Sequence, residues 1–418
     1  MNIAYQSSSN KPKDIKSHNQ KLVLSLFFEN DYWSIPQISE EIQLSKTSVA
    51  KIISGMEKKE QIVSCGKGTS TSEGGKKPEL FRLNSEYRYA IAINIDAEYL
   101  VGAITNFSCE LICEPIYRNV MEATYEEVVQ TIYEIVEMLL QTSQVSTEAI
   151  CGITLGCDGI VDMDKGIICC SARKKTWAKN LEIRRDAIEK LKSLDLNCEV
   201  YVDNGCRYIG FADLLYRETR PYQCIATIYT TKEFVGGSII QRGQLLKSAN
   251  GFMGEFGHNI IEPKSKVKCE CGNYGCLEAL VSEKNLIHIL NKKRGRYPNS
   301  IFNTSHLEEN MDHIFTAARE NDALARKVLS ESANYFAISI HNMMMTFDPE
   351  MVIIQGEYAR VGEGFQHEIC KRVTELNVFG LNRIPHISLS KVRNMEDLLK
   401  GYANFSILNY IAQKEPYR

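Results

Sequence analysis

Between His258 and Cys276 the sequence commits itself to wrapping around a metal ion. The stretch GEFGHNIIEPKSKVKCECGNYGCLE, residues 254–278, holds His258, then Cys269-x-Cys271, then Cys276 after four further residues. One imidazole and three thiolates make a Cys3His set, the donor set of a tetrahedral zinc site with no open position. Thiolates select zinc over magnesium or calcium. Gly272 and Gly275 let the loop turn tightly enough to gather the sulfurs. With every position filled, the ion is expected to be structural rather than catalytic. The competing reading is buried free thiols, the state expected of the other eleven cysteines.

The rest of the composition is that of an ordinary globular protein. At roughly 100–200 residues per domain, the chain is long enough for two to four. Hydrophobic residues make up 44% and charged residues 24% of its 418 positions, which excludes wholesale disorder. No apolar run approaches the roughly 18 residues of a membrane span, and none is expected. The start, MNIAYQSSSNKPKD, lacks the apolar segment of a secretory signal. A cytoplasmic location with reduced thiols is the expectation that follows.

The N-terminal part has its own pattern. Residues 1–14 are polar and are expected to form a loose arm. NQKLVLSLFF (19–28) is apolar enough for a buried helix. Ser34 is a natural N-cap, Pro36 falls in the first turn, and Ile38 and Ile42 lie four apart, so 35–42 is a second helix. Ser45 caps a third helix to Lys58, with Val49, Ile52, Ile53 and Met56 on one stripe. Ile62-Val63 and Leu80–Leu83 read as short strands joined by the basic loop GKGTSTSEGGKKP.

Three short helices and a basic hairpin spell a winged helix-turn-helix over 15–84. Ser45–Lys58 is then the recognition helix. Ser45, Lys46, Thr47, Ser48 and Lys51 are short or basic, as insertion into a major groove requires. Lys67, Lys76 and Lys77 of the wing are expected at phosphates. A small helical domain with a solvated loop is the alternative. Residues 1–88 carry thirteen basic and ten acidic residues, net +3, leaving −6 for the remainder of a chain at −3 overall. A mildly basic head on an acidic body suits DNA as a partner.

After Asn84 the chain turns α/β. Strands are predicted at 89–95, 100–105, 111–114, 150–155, 199–203, 225–229, 235–241 and 351–356. Helices are predicted from Thr124 to about Thr142, with Val128, Ile132, Ile135, Val136 and Leu139 on one face, and from about Asp312 to Met345. Strand–strand–strand–helix units occurring twice suggest two similar α/β lobes with a cleft between them.

At these residues the chain resembles the ROK family (repressors, open reading frames and kinases) over nearly its whole length. The most specific match is Gly251-x-x-Gly254-Glu255-x-Gly257-His258 followed by Cys269-x-Cys271-Gly272-x-x-Gly275-Cys276-x-Glu278. Weaker matches are Val202-Asp203-Asn204, Trp177, and Asp348-Pro349-Glu350. The resemblance implies a repressor-type head and a sugar-binding ROK domain over 85–418, built as an actin-like or hexokinase-like pair of lobes. It also implies that Glu255, His258 and Glu278 contact sugar hydroxyls, as does Asn204. Carboxylates accept from hydroxyl pairs, and a zinc-bound imidazole offers its other nitrogen to a hydroxyl or carboxylate. The plainer role for the two glutamates is as ordinary loop and helix-start acids, and for Asn204 as a turn residue.

Departures from the family's kinases are concentrated in the phosphate machinery. Where those kinases carry Asp-x-Gly-Gly-Thr, this chain has Asn94-Ile95-Asp96-Ala97-Glu98. Their Gly-Thr-Gly aligns with Lys232-Glu233-Phe234, their general-base Asp with Gly205, and their adenosine-side glycines with Gln355-Gly356-Glu357. Carboxylates repel phosphates, bulky side chains prevent close backbone approach, and glycine takes no proton. No phosphotransfer is therefore expected. A family Asn aligns with Arg173. Arg173, Lys174 and Lys175 are expected to form a solvated basic loop, the alternative being a preference for a phosphorylated or acidic sugar.

The resemblance thus implies a sugar-responsive transcriptional regulator, a repressor, that binds double-stranded operator DNA as a homodimer or tetramer. A sugar kinase with a fused DNA-binding head and a DNA-bound scaffold with a vestigial sugar site are the rival expectations. Head, wing and zinc loop together resemble the family's xylose repressors, which points first to xylose as inducer. Glucose and N-acetylhexosamine derivatives remain open.

Overall fold

The structure, a computed structural model, describes residues 12–68, 77–171, 173–174, 176–304, 307–376, 380 and 383–412. Helix α1 (Pro12–Glu29) begins inside the stretch expected to be a loose arm, the remainder of which lies outside the described residues. It buries Val23, Leu24, Leu26 and Phe27. β1 (Trp33–Ser34) leads into α2 (Ile35–Glu41), where the Ser34 backbone N–H donates to the Gln37 side chain at 3.0 Å. α3 (Lys46–Lys58) starts at Ser45, whose Oγ accepts from Ser48 N at 3.1 Å, and buries Val49, Ile52, Ile53 and Met56. β2 (Ile62–Lys67) and β3 (Glu79–Leu83) form the hairpin, and β1 adds to it with Trp33 opposite Phe81. The helix order, cap and apolar stripe are those expected of a winged helix.

By compactness the chain divides into Met1–Gln223 with Arg242–Gln244 and Asn394–Arg418, and Cys224–Gln241 with Leu245–Arg393. The first unit carries the winged head and an α/β layer of β4 (Tyr89–Ile95), β5 (Tyr99–Asn106), β6 (Ile116–Asn119), α4 (Tyr125–Ser143), β7 (Ile150–Cys157), β8 (Ile160–Asp162), β9 (Ile167–Cys170), α5 (Ile183–Leu191), β10 (Glu199–Asn204) and α6 (Gly205–Asp213). Its main sheet runs β10-β7-β4-β5-β6, with β4, β7 and β10 parallel. Ile91, Ile93 and Ile95 share one core with Ile153, Leu155 and the Val128–Leu139 stripe of α4. The opposite face of these strands carries small residues in register: Ala90 beside Gly152, Ala92 beside Thr154, Asn94 beside Gly156.

The second unit contains β11 (Cys224–Thr230), β12 (Val235–Gln241), β13 (Gln244–Leu245), α7 (Leu277–Val281), α8 (Glu283–Lys293), α9 (Ile301–Thr304), α10 (Met311–Arg319), α11 (Ala323–Phe347), β14 (Met351–Gly356), α12 (Glu363–Glu375) and β15 (His386–Leu389). Its sheet runs β13-β12-β11-β14-β15. An antiparallel pair followed by two parallel strands is the pattern of the first sheet as well. Asp348 ends α11 in the left-handed region, and Glu350 accepts from Cys224 N at 3.1 Å, so the Asp-Pro-Glu triplet turns the chain into β14. The last element among the described residues, α13 (Met395–Ala412), belongs to the first unit.

Two expectations are corrected. Residues 111–114 are not a strand: Leu111 keeps one bridge to Thr105, and pairing resumes only at Ile116, after Pro115, which has no N–H to donate. The helix expected over 312–345 is two helices. Asn321 adopts φ 69°, and Asp322 caps α11 by accepting from Ala325 N, so the break is a left-handed turn followed directly by an N-cap.

Candidate metal centre and strand-end site

The Cys3His set converges in the second unit. A short 3-10 turn, Phe256–His258, presents the histidine. The cysteines sit on a tight loop held by Cys269 N to Asn273 O (2.9 Å), Gly272 N to Cys269 O (3.0 Å) and Gly275 N to Val267 O (2.9 Å). Gly275 adopts φ +72°, and a Cβ there would collide with the Glu262 carbonyl, so this turn requires glycine. Cys276 then opens α7. His258 Nδ1 lies 3.6 Å from Cys269 Sγ, and Cys271 Sγ lies 3.7 Å from Cys276 Sγ. All four donor atoms fall within 4.8 Å of one another. Metal–sulfur bonds of about 2.3 Å in a tetrahedron place ligand atoms roughly 3.5–3.8 Å apart, the spacing of the His258–Cys269 and Cys271–Cys276 pairs, so small shifts of the side chains would complete a four-ligand site.

Without a cation the cluster treats its thiols unequally. Burial and the hydrogen-bonded Cys271 push the Cys276 thiol up to about 11. At Cys271 burial also raises the thiol, but hydrogen bonds from Asn273 and its sulfur neighbours outweigh it and the net shift is downward. A bound dication supplies the charge that three thiolates need.

Two carboxylates flank this centre. Glu278 Oε1 stands 3.4 Å from Cys269 Sγ and 3.9 Å from His258 Nδ1, while its Oε2 accepts from Val235 N at 3.1 Å. Glu255 Oε2 lies 3.8 Å from His258 Nε2, the nitrogen turned away from the cysteines. Glu255, His258 and Glu278, expected to contact sugar hydroxyls, are thus brought together. Lys232 of the Lys-Glu-Phe loop pairs with Glu283 and Asp312, each at 3.4 Å.

In the first unit, Asn204 lies at the carboxyl end of the parallel strands. Its Oδ1 caps α6 by accepting from Cys206 N at 2.9 Å, and its Nδ2 donates to Gly159 O at 2.8 Å. Behind it, Asp203 forms a fully buried pair with Arg207 at 2.9 Å. Gly205 has a neighbour that sequence reasoning missed. A Cβ on Gly205 would stand 2.5 Å from the hydroxyl of Tyr402, which donates to Asn94 Oδ1 at 2.9 Å. Tyr402 is almost 200 positions away, so no local pattern marks it.

The basic loop is not solvated, contrary to expectation. Arg173 Nη1 donates to both oxygens of Asp96, and its backbone N–H donates to Asp158 at 2.9 Å. The Lys174 ammonium is buried, donating to the carbonyls of Val120 (2.5 Å) and Met121 (2.6 Å), 6.0 Å from the Trp177 ring. Charges drawn inward by carboxylates and carbonyls make structure instead of a wet surface. Lys175 lies outside the described residues.

On the winged head, Ser45, Lys46, Thr47, Ser48 and Lys51 are all exposed along one end of α3, and Lys67 and Lys77 are exposed on the hairpin. Lys76 lies outside the described residues. Among the described residues, no helix is long and apolar enough to cross a membrane.

Comparison with known proteins gives a consistent result. The family model described as "ROK family" matches residues 90–399. The chain is similar to the xylose repressor of Caldicellulosiruptor bescii, 26% identical over 383 residues, covering 91% of this chain and 93% of that protein. It is also similar to the glucokinase of Thermotoga maritima, 27% identical over 62% of this chain and 81% of the enzyme. Among solved structures it resembles a ROK family transcriptional regulator homologous to the Escherichia coli MLC protein. That match has a TM-score of 0.73 at 21% identity, covering 95% of this chain and 99% of the other.

Proposed function

The chain belongs to the ROK family, and from that premise we propose a sugar-responsive transcriptional repressor. The observation that carries this reading is the exposed, short and basic N-terminal end of α3 on a winged head. A full-length likeness to xylose repressors supports it. In this reading, residues 15–84 are the DNA-binding domain, with α1 reaching back to Pro12 into the expected arm, and 85–418 are the sugar-binding domain. Ser45, Lys46, Thr47, Ser48 and Lys51 meet base edges, and Lys76 and Lys77 meet phosphates. A homodimer or tetramer in the cytoplasm would place paired heads on a palindromic operator.

The inducer is a monosaccharide, xylose first, with glucose and N-acetylhexosamine derivatives as alternatives. Glu255, His258 and Glu278 accept and donate to its hydroxyls, and Asn204 is assigned the same role. His258, Cys269, Cys271 and Cys276 would hold zinc, whose full coordination makes it structural. When bound, zinc polarises the imidazole and strengthens the Nε2–H as a donor. The sugar acts by population shift: it weakens DNA binding by favouring the arrangement of the heads that does not fit the operator. A gel-shift titration with a monosaccharide panel tests the reading. Operator release by one sugar supports it, and indifference to every sugar removes the inducer half.

The rival is a sugar kinase, which the likeness to a glucokinase keeps in view. Favouring the repressor over it are Tyr402, which stands over Gly205 where the kinases' general base aligns, and the Asp96–Arg173–Glu98 ion group in the stretch that aligns with their phosphate loop.

A further inference from the structure

One stripe of α13 runs from the strand-end corner of the first unit to its winged head. Tyr402, Ser406 and Tyr410 recur every four positions and therefore share a face. That face lies on the small-residue side of β4 and β7. A Cβ on Gly156 would come within 2.6 Å of Tyr402 Cζ, and one on Gly152 within 3.1 Å of Ser406 Cβ. Thr154 Oγ1 and Ser406 Oγ are 2.5 Å apart. On another side, Gly401 lies so close to α6 that a Cβ would reach 2.7 Å from Ala212 N. A helix packed this closely has no slack in which a displacement could be absorbed.

The two ends of the stripe meet different machinery. At one end the Tyr402 hydroxyl donates to Asn94 Oδ1 above Gly205, next in sequence to Asn204. At the other, about 12 Å along at 1.5 Å per residue, the Tyr410 hydroxyl is 3.4 Å from that of Tyr87. Its ring packs edge-on to Phe107 at 6.2 Å. Phe107 also receives Tyr87 at 5.4 Å and, from α1 of the head, Phe28 at 5.8 Å. Gln61, which precedes β2, donates to the Tyr87 hydroxyl at 3.2 Å, and Lys21 of α1 donates to Ala412 O at 3.1 Å. The head is thus fastened to the far end of the helix that carries Tyr402.

We propose that Tyr402 is the effector-sensing residue and that α13 carries its state to the winged head. A sugar hydroxyl beside Asn204 competes with the Tyr402 phenol as donor to Asn94. The phenol gives way, and the close-packed stripe passes the shift to Tyr410, Phe107 and Phe28. The inference rests on the sugar-site reading of Asn204 given above.

The test uses the full chain and d-xylose, with binding followed by calorimetry, operator affinity by fluorescence anisotropy, and α13 amide exchange by mass spectrometry. In the wild type, xylose is expected to lower operator affinity at least tenfold and to change exchange across α13. Tyr402→Phe keeps the ring and removes only the hydroxyl, and should cut the operator response at least fivefold and abolish the exchange change. Phe107→Leu should bind xylose with wild-type affinity yet show the same loss of operator response. Wild-type release in either variant overturns the proposal while leaving the repressor reading intact. A wild-type protein whose operator affinity ignores xylose, glucose and N-acetylglucosamine alike removes the inducer half of the reading and this proposal with it.

Discussion

Arg173 grips Asp96 through one nitrogen shared by both carboxylate oxygens, each at 3.0 Å, and Glu98 stands 3.5 Å from the same guanidinium. The only side-chain cation described in this three-residue group is already claimed by two carboxylates. In the kinase alternative, a phosphate brought to this loop would meet those carboxylates and their repulsion.

No ADP release above background is therefore expected from hexoses or pentoses with MgATP. Neither Arg173→Ala nor Gly205→Asp should restore it. The Arg173 change should cost no more than about 1 kcal/mol, because the pair is partly exposed. Gly205→Asp should cost about 1–3 kcal/mol by overpacking against Tyr402. Sustained turnover in a coupled assay with the unmodified protein would sink this expectation.

Metal content offers a separate check. One zinc per chain is expected by elemental analysis, with Cys269→Ser and Cys276→Ser each losing it. Chelation should lower the thermal midpoint, since binding only to the folded loop stabilises by mass action. A chain that melts identically with and without chelator would leave the Cys3His cluster as free thiols.

Operator binding should fall at least tenfold for Lys46→Ala and for Lys51→Ala. For any contact that is to phosphate, the salt-dependence slope should drop by roughly 0.9. Normal affinity in both variants would move the reading surface away from α3.

The Asp203–Arg207 pair predicts a pH effect. Burial pushes the Asp203 carboxyl up to about 7 against the pull of Arg207. An unfolded aspartate titrates near 3.9. From about pH 4 to 7 the native state holds a proton that the unfolded chain has released. This group's contribution is full below about 4 and is lost as pH rises through 7. Urea titrations of wild type and Asp203→Asn at pH 5 and 7.5 should show the steeper decline in the wild type. Parallel slopes would refute the assignment.

Much of this was legible in local sequence because local forces decide it. The caps at Ser34, Ser45 and Thr124, the apolar stripes of α3 and α4, and the Cys-x-Cys loop each depend on residues a few positions apart. Pairing of Arg173 with Asp96, the inward turn of Lys174 and the seat of Tyr402 over Gly205 depend on tertiary approach. Leu111 to Glu114 looked strand-like by composition, yet pairing with β5 slips by two positions between the Thr105–Leu111 bridge and the Gly102–Ile116 pair, with Pro115, which has no N–H, in between. Asn321-Asp322 did carry a readable signal, a left-handed residue before a cap, but the apolar periodicity on either side masked it.

The first unit is assembled from segments that lie on either side of nearly all of the second, since α13, the last helix among the described residues, packs against β4, β7 and α6. On a ribosome, residues 12–223 therefore emerge without the helix that fills their small-residue trough, and must wait until codon 412 has been read and its residue has cleared the exit tunnel. A nascent chain stalled before that point would expose Gly152, Gly156 and Phe107 together, a surface on which a chaperone could act and against which α13 supplied in trans as a peptide could compete.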